Sequence, residues 1–89
     1  IVAEAVVGTR LVDDVKACGA KGYSISTARG EGATGRRSQD VTGPSVRLET
    51  VVTDEVANAI LEMLAASYFE RYAVVAWTTP VQVARPSRF

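Results

Sequence analysis

The 89 residues carry ten basic and ten acidic side chains, with 47% apolar and 22% charged content, a composition that supports one folded domain over residues 1–89 and argues against disorder. The cancelling charge leaves no global basic field, which excludes nucleic acid as a partner class. Histidine is absent, and with it go the commonest general base, the commonest metal ligand and every Ser-His or Cys-His mechanism.

Cys18 is the single cysteine, so no disulfide forms within the chain and a reducing, cytoplasmic setting is expected. No apolar run approaches membrane-spanning length and no signal-peptide pattern opens the sequence. Ile1–Glu4 reads as a strand, and because the sequence opens inside an apolar segment this strand is expected to be incomplete. From about Val6 to Cys18 the apolar residues Val7, Leu11, Val15 and Cys18 mark one face of a helix, with Arg10, Asp13, Asp14 and Lys16 on the other. Gly19 stands where a helix C-cap glycine belongs. "GYSIST" then alternates Tyr23, Ile25 and Thr27 against Ser24 and Ser26, the pattern of a half-buried strand.

Residues 29 to 45 are rich in glycine and hold no large apolar side chain but Val41, which predicts a long loop. "SVRLETVVT" resumes the period of two, with Val46, Leu48, Thr50 and Val52 on one side. Thr53 or Asp54 caps a second helix whose buried stripe is Val56, Ala59, Ile60, Met63, Leu64 and Ser67 or Tyr68. "AVVAWTTPVQVA" is a last strand, and Pro80 marks an edge or a bulge in it. The predicted order is β-α-β-β-α-β. That is an α+β, ferredoxin-like arrangement: a four-stranded antiparallel sheet with two helices on one face.

The loop between the second and third strands far exceeds the two to five residues of an ordinary hairpin. Gly30, Gly32 and Gly35 permit close backbone approach to a ligand, and Arg36 and Arg37 offer forked donors suited to phosphate. The same features suit a flexible polar tip kept soluble by its arginines, and spacing alone favours that plainer reading. "RGEGATG" is neither a Walker loop nor a dinucleotide fingerprint, because it joins two strands and no helix follows. Arg85 and Arg88 in "ARPSRF" either reach a ligand or belong to a solvated tail. Tyr68, Phe69, Tyr72 and Trp77 are expected in the core or at a subunit interface. Cys18 is expected as a small core residue, "AVVGTR" lacks the phosphate-cradling loop of an acylphosphatase, and no catalytic set or metal site emerges. The chain is not expected to be an enzyme.

"GAKGYSISTARGEG", then a long loop, "VRLETVV" and "YFERYAVVAW" together resemble the PII signalling superfamily over nearly the whole chain. The nearest branch is the PII-like one associated with carboxysomes and bicarbonate transport, of SbtB and CPII type. The resemblance implies a homotrimer that binds adenine nucleotide in the clefts between subunits. The overgrown hairpin becomes the T-loop, which switches with ligand and regulates inorganic-carbon uptake through a partner such as a membrane bicarbonate transporter. By position it places Ser24 near the adenine, Gly30, Gly32 and Thr34 at the loop base over the phosphates, and Arg36 and Arg37 on phosphate or bicarbonate. Arg85 and Arg88 would reach in from the C-terminal segment. The junction "SYFERYAV" lacks the glycine and lysine that hold a triphosphate, which favours ADP or AMP over ATP and requires no metal. Thr34 stands where a glutamine serves Mg-ATP and 2-oxoglutarate. The loop lacks the tyrosine that is uridylylated in nitrogen-regulatory members, and no cysteine-bearing extension is expected. A trimeric CutA-like protein or a dimeric ACT-like small-molecule module is the alternative reading.

Overall fold

The computed structural model describes residues 1–29 and 44–85. Strand β1 (Val2–Glu4) leads through a 3-10 turn (Ala5–Val7) into helix α1 (Gly8–Ala17), strand β2 (Ser24–Ala28), strand β3 (Ser45–Glu49), helix α2 (Asp54–Ser67) and strand β4 (Val74–Val75). The sheet order is β2-β3-β1-β4, with all three described pairings antiparallel. This is the α+β architecture expected from the sequence. The row Val74, Ala3, Val46 and Thr27 runs across all four strands, and Leu48 shares its face.

That face carries the core. Ala3, Val7, Leu11, Val15, Leu48, Ile60, Leu64 and Tyr68 are buried in one cluster, so both predicted helix stripes hold. Cys18, the last residue of its stripe, is the C-cap of α1, half-buried and packed against this cluster, with Sγ 3.8 Å from the Ala59 carbonyl oxygen. The helix has already turned away at Gly19, whose φ of +117° closes a Schellman motif. The Gly19 N–H donates to the Lys16 carbonyl at 3.0 Å and the Ala20 N–H to that of Val15 at 3.4 Å. A Cβ at Gly19 would lie 3.2 Å from Val56, so backbone and packing both require glycine here. At α2 the Thr53 hydroxyl accepts from the Val56 N–H at 3.3 Å, with Asp54 and Glu55 in the first turn. Thr53 is therefore the N-cap.

The helices are also tied by a polar contact between α1 and the C-cap of α2. Tyr68, fully buried, donates its hydroxyl to Asp14 Oδ2 at 2.6 Å. Burial, and the hydrogen bond to the Asp14 carboxylate after it, push the Tyr68 phenol well above its ordinary value. The Arg10 guanidinium lies 5.1 Å from the Tyr68 ring centroid and donates to the Tyr72 hydroxyl at 3.2 Å. Of the four aromatics expected in a core or interface, Tyr68 is buried and Tyr72 packs on it, whereas Phe69 and Trp77 are exposed.

Two strands differ from expectation. The half-buried β2 is exposed along most of its length, with Tyr23 and Ile25 at 44% and 41%, because it is an edge strand that the helices leave uncovered. The last strand, expected over residues 73–84, pairs only at Val74–Val75. The register is Ala3↔Val74 and Val2↔Val75, and Trp77, just beyond it, is exposed and lies under the Arg47 guanidinium.

Candidate functional site

Opposite the helices, Arg47 and Glu49 of β3 face outward. Arg47 donates from Nε to Glu49 Oε1 at 2.8 Å, and its guanidinium lies over Trp77, 5.6 Å from the ring centroid. Ser24 pairs with Glu49 across the β2–β3 ladder. The Thr50 hydroxyl donates to the Gly22 carbonyl oxygen at 2.6 Å, fixing the entry to β2. These residues border an open groove of about 1190 Å³ that includes Tyr23, Ser24, Arg47, Glu49, Trp77 and Val83. The Trp77 ring offers an apolar face and the Ser24 hydroxyl and Glu49 carboxylate offer polar groups along this groove. The outward alternation of Arg47 and Glu49 was visible in the sequence. Their meeting with Trp77 was not, because Trp77 arrives from a segment remote in sequence.

The opposite end of the sheet is where the long connection leaves it. The Ser45 hydroxyl, buried, donates to the Ala28 carbonyl oxygen at 2.7 Å. The Ala5 N–H donates to the Pro44 carbonyl oxygen at 3.2 Å. Glu4 pairs with Ser45 across the β1–β3 ladder, and its carboxylate accepts from the Ala73 N–H at 2.7 Å. Both feet of the connection and the α2–β4 junction are thus pinned within one small region.

Of the residues singled out in the sequence, Ser24 lies in the groove. Arg85 is exposed on the tail that follows Val83. Gly30, Gly32, Thr34, Arg36, Arg37 and Arg88 lie outside the described residues. Ser24 and Ala28 bracket β2, roughly 13 Å apart at about 3.3 Å per residue. The groove and the foot of the connection are therefore separate ends of one subunit. Among the described residues, no group of three or more His, Cys, Asp or Glu side chains is placed to hold a metal, and no helix is long and apolar enough to cross a membrane.

A family model described as nitrogen regulatory protein P-II matches residues 1–88. A crystal structure of a PII-like signaling protein from Thermus thermophilus superposes with a TM-score of 0.83 and 50% sequence identity, covering 99% of this chain and 88% of that one. No curated protein matches the chain.

Proposed function

Because the chain belongs to the P-II family, whose members generally bind adenine nucleotides and form trimers, we propose that it is a non-enzymatic, nucleotide-sensing regulator. The ligand is an adenine nucleotide, ADP or AMP in preference to ATP, with bicarbonate as a second ligand. The adenine rests at the Ser24 end of one copy, beside Glu49. The phosphates lie at the foot of the long connection of a neighbouring copy, over Gly30, Gly32 and Thr34, with Arg36 and Arg37 as anion contacts. Arg85 and Arg88 approach from the same copy as Ser24.

The observation that carries this reading is the separation of the two ends of β2. The Ser24 end and the connection foot of one subunit lie at opposite ends of that strand, and a site to which two copies of a trimer each contribute one end accounts for both. Binding then biases the 30–43 segment toward or away from a partner, an order–disorder device in which a phosphate exchanges charge-assisted bonds against chain entropy. The partner proposed is a membrane bicarbonate transporter, which makes the output control of inorganic-carbon uptake.

Calorimetry with AMP, ADP, ATP and cyclic AMP, with and without bicarbonate, tests this directly. Dissociation constants on the order of micromolar are expected from the opposing bond and ordering terms. An absence of heat with every nucleotide overturns the reading. Loss of binding in Arg36→Ala or Arg37→Ala identifies these arginines as anion contacts, whereas retained binding leaves them as solubilising groups.

A further inference from the structure

The groove has two flanks and a floor. Beyond β3, residues 50–53 continue without turn or bend, and beyond β4 so do residues 76–83. Among the described residues, no backbone–backbone hydrogen bond reaches Thr50 or residues 76–83. The floor is α2, which supplies Ala57, Ile60 and Leu61. In the sheet order β2-β3-β1-β4, only β1 separates β3 from β4. The flanks are therefore two strand spacings apart, roughly 10 Å, which leaves a slot one strand wide.

The ladders on β1 fix which groups face this slot. Ile1 and Leu48 exchange both backbone bonds, at 2.8 and 2.9 Å. On the other side the Glu4 N–H donates to the Ala73 carbonyl oxygen at 3.3 Å. Odd residues of β1 thus bond to β3 and even ones to β4. Continuing the registers Val2↔Arg47 and Val2↔Val75 turns the N–H and C=O of Thr50 inward from one flank. From the other flank it turns those of Trp77, Thr79 and Val81 inward. Pro80 falls at the alternate position, where a missing N–H would have pointed away from the slot, the place at which an edge strand tolerates proline. Trp77 and Glu49 flank the first empty row. Arg47 spans that row, bonded to Glu49 Oε1 at 2.8 Å and lying over the Trp77 ring.

We propose that this slot holds an upstream continuation of β1, an extended segment in line with Ile1 that pairs antiparallel with both flanks. Its residues alternate. The one next to Ile1 faces outward beneath Arg47, between Trp77 and Glu49, and bonds to Trp77. The second faces α2, is apolar, and bonds to Thr50. The segment turns the floor of the groove into core and gives the backbone of residues 77–81 its partner. Because β2 lies on the far side of β3, Tyr23 and Ser24 stay outside the slot, and the inference stands apart from the nucleotide reading.

Amide hydrogen exchange reads the pairing directly. The 89-residue chain is compared with the same chain carrying a seven-residue N-terminal extension. Valine occupies the second, fourth and sixth upstream positions of that extension and threonine the others. The extension should slow exchange at Thr50, Trp77, Thr79 and Val81 by at least about fivefold. Thr78 and Gln82, whose N–H groups point away from the slot, should exchange as before. Trp77 is the only tryptophan, and its emission should move to the blue as the slot fills. Moving the valines by one position turns them outward and should lose the protection. No protection, protection without the alternation, or equal protection by both extensions overturns the inference. Protection of the same amides in the unextended chain that rises with protein concentration assigns the slot to a second copy and overturns it as well.

Discussion

Leu48 and Ile25 face each other across the β2–β3 ladder. Leu48 is 1% exposed and Ile25 is 41% exposed. Both arise from the same alternation of apolar and polar residues, on neighbouring strands, pointing to the same face. The difference is cover. Two helices close over β1 and β3 and leave edge strand β2 open, so an identical local pattern becomes core in one strand and surface in the next. The open strand is the one that carries Ser24, and the covered region is the one that holds the fold together.

Truncation tests this contrast most strongly. Leu64→Ala, at a fully buried position, should cost about 2–5 kcal/mol in denaturant unfolding. Ile25→Ala should cost under about 1 kcal/mol in the dissociated subunit, because much of its side chain is already in water. A comparable loss at both positions would break the comparison and mean that a second copy covers β2. Measuring both variants across protein concentration separates subunit stability from association.

Tyr68→Phe probes the covered side next. Removing a buried hydroxyl that donates to the Asp14 carboxylate should cost about 1.5–3 kcal/mol at neutral pH. The phenol holds its proton more tightly in the folded chain than the ordinary value near 10. Its contribution is therefore complete below about pH 10 and is lost as pH rises through the folded value. Alkaline unfolding of the parent should steepen above that point, and Tyr68→Phe should lack this component. Equal alkaline limbs in the two proteins would show that Tyr68 ionisation does not limit stability.

The smallest effect belongs to the open face. Arg47→Ala removes an exposed pair with Glu49 and the contact over Trp77, which together should contribute under about 1 kcal/mol. Trp77 is the only tryptophan, so its emission reports the change without interference. A loss near that of Leu64→Ala would place this surface at an interface.

Much of the fold was legible because its causes are local. Val7, Leu11 and Val15 recur at helical spacing, Gly19 ends α1 through a backbone conformation few other residues adopt, and Thr53 caps α2 with its own hydroxyl. The candidate site was legible in part. Ser24 stood out by resemblance, and Arg47 and Glu49 were visible as the outward side of a strand. Their convergence with Trp77 depends on where residues 74–77 lie against β1, which no window of sequence contains. The bond from the Ala73 N–H to the Glu4 carboxylate gave no local signal either, since its partners are 69 positions apart.

Element order, the two buried helix stripes and the glycine-rich connection between β2 and β3 can all be read along the chain, because periodicity, capping and turn chemistry act over a few residues. Which apolar faces are covered, how far β4 pairs, and that the groove and the foot of the connection lie at opposite ends of β2 appear only once the segments pack together. Those outcomes depend on how many strands two helices can cover and on how segments distant in sequence pair, which no local pattern encodes.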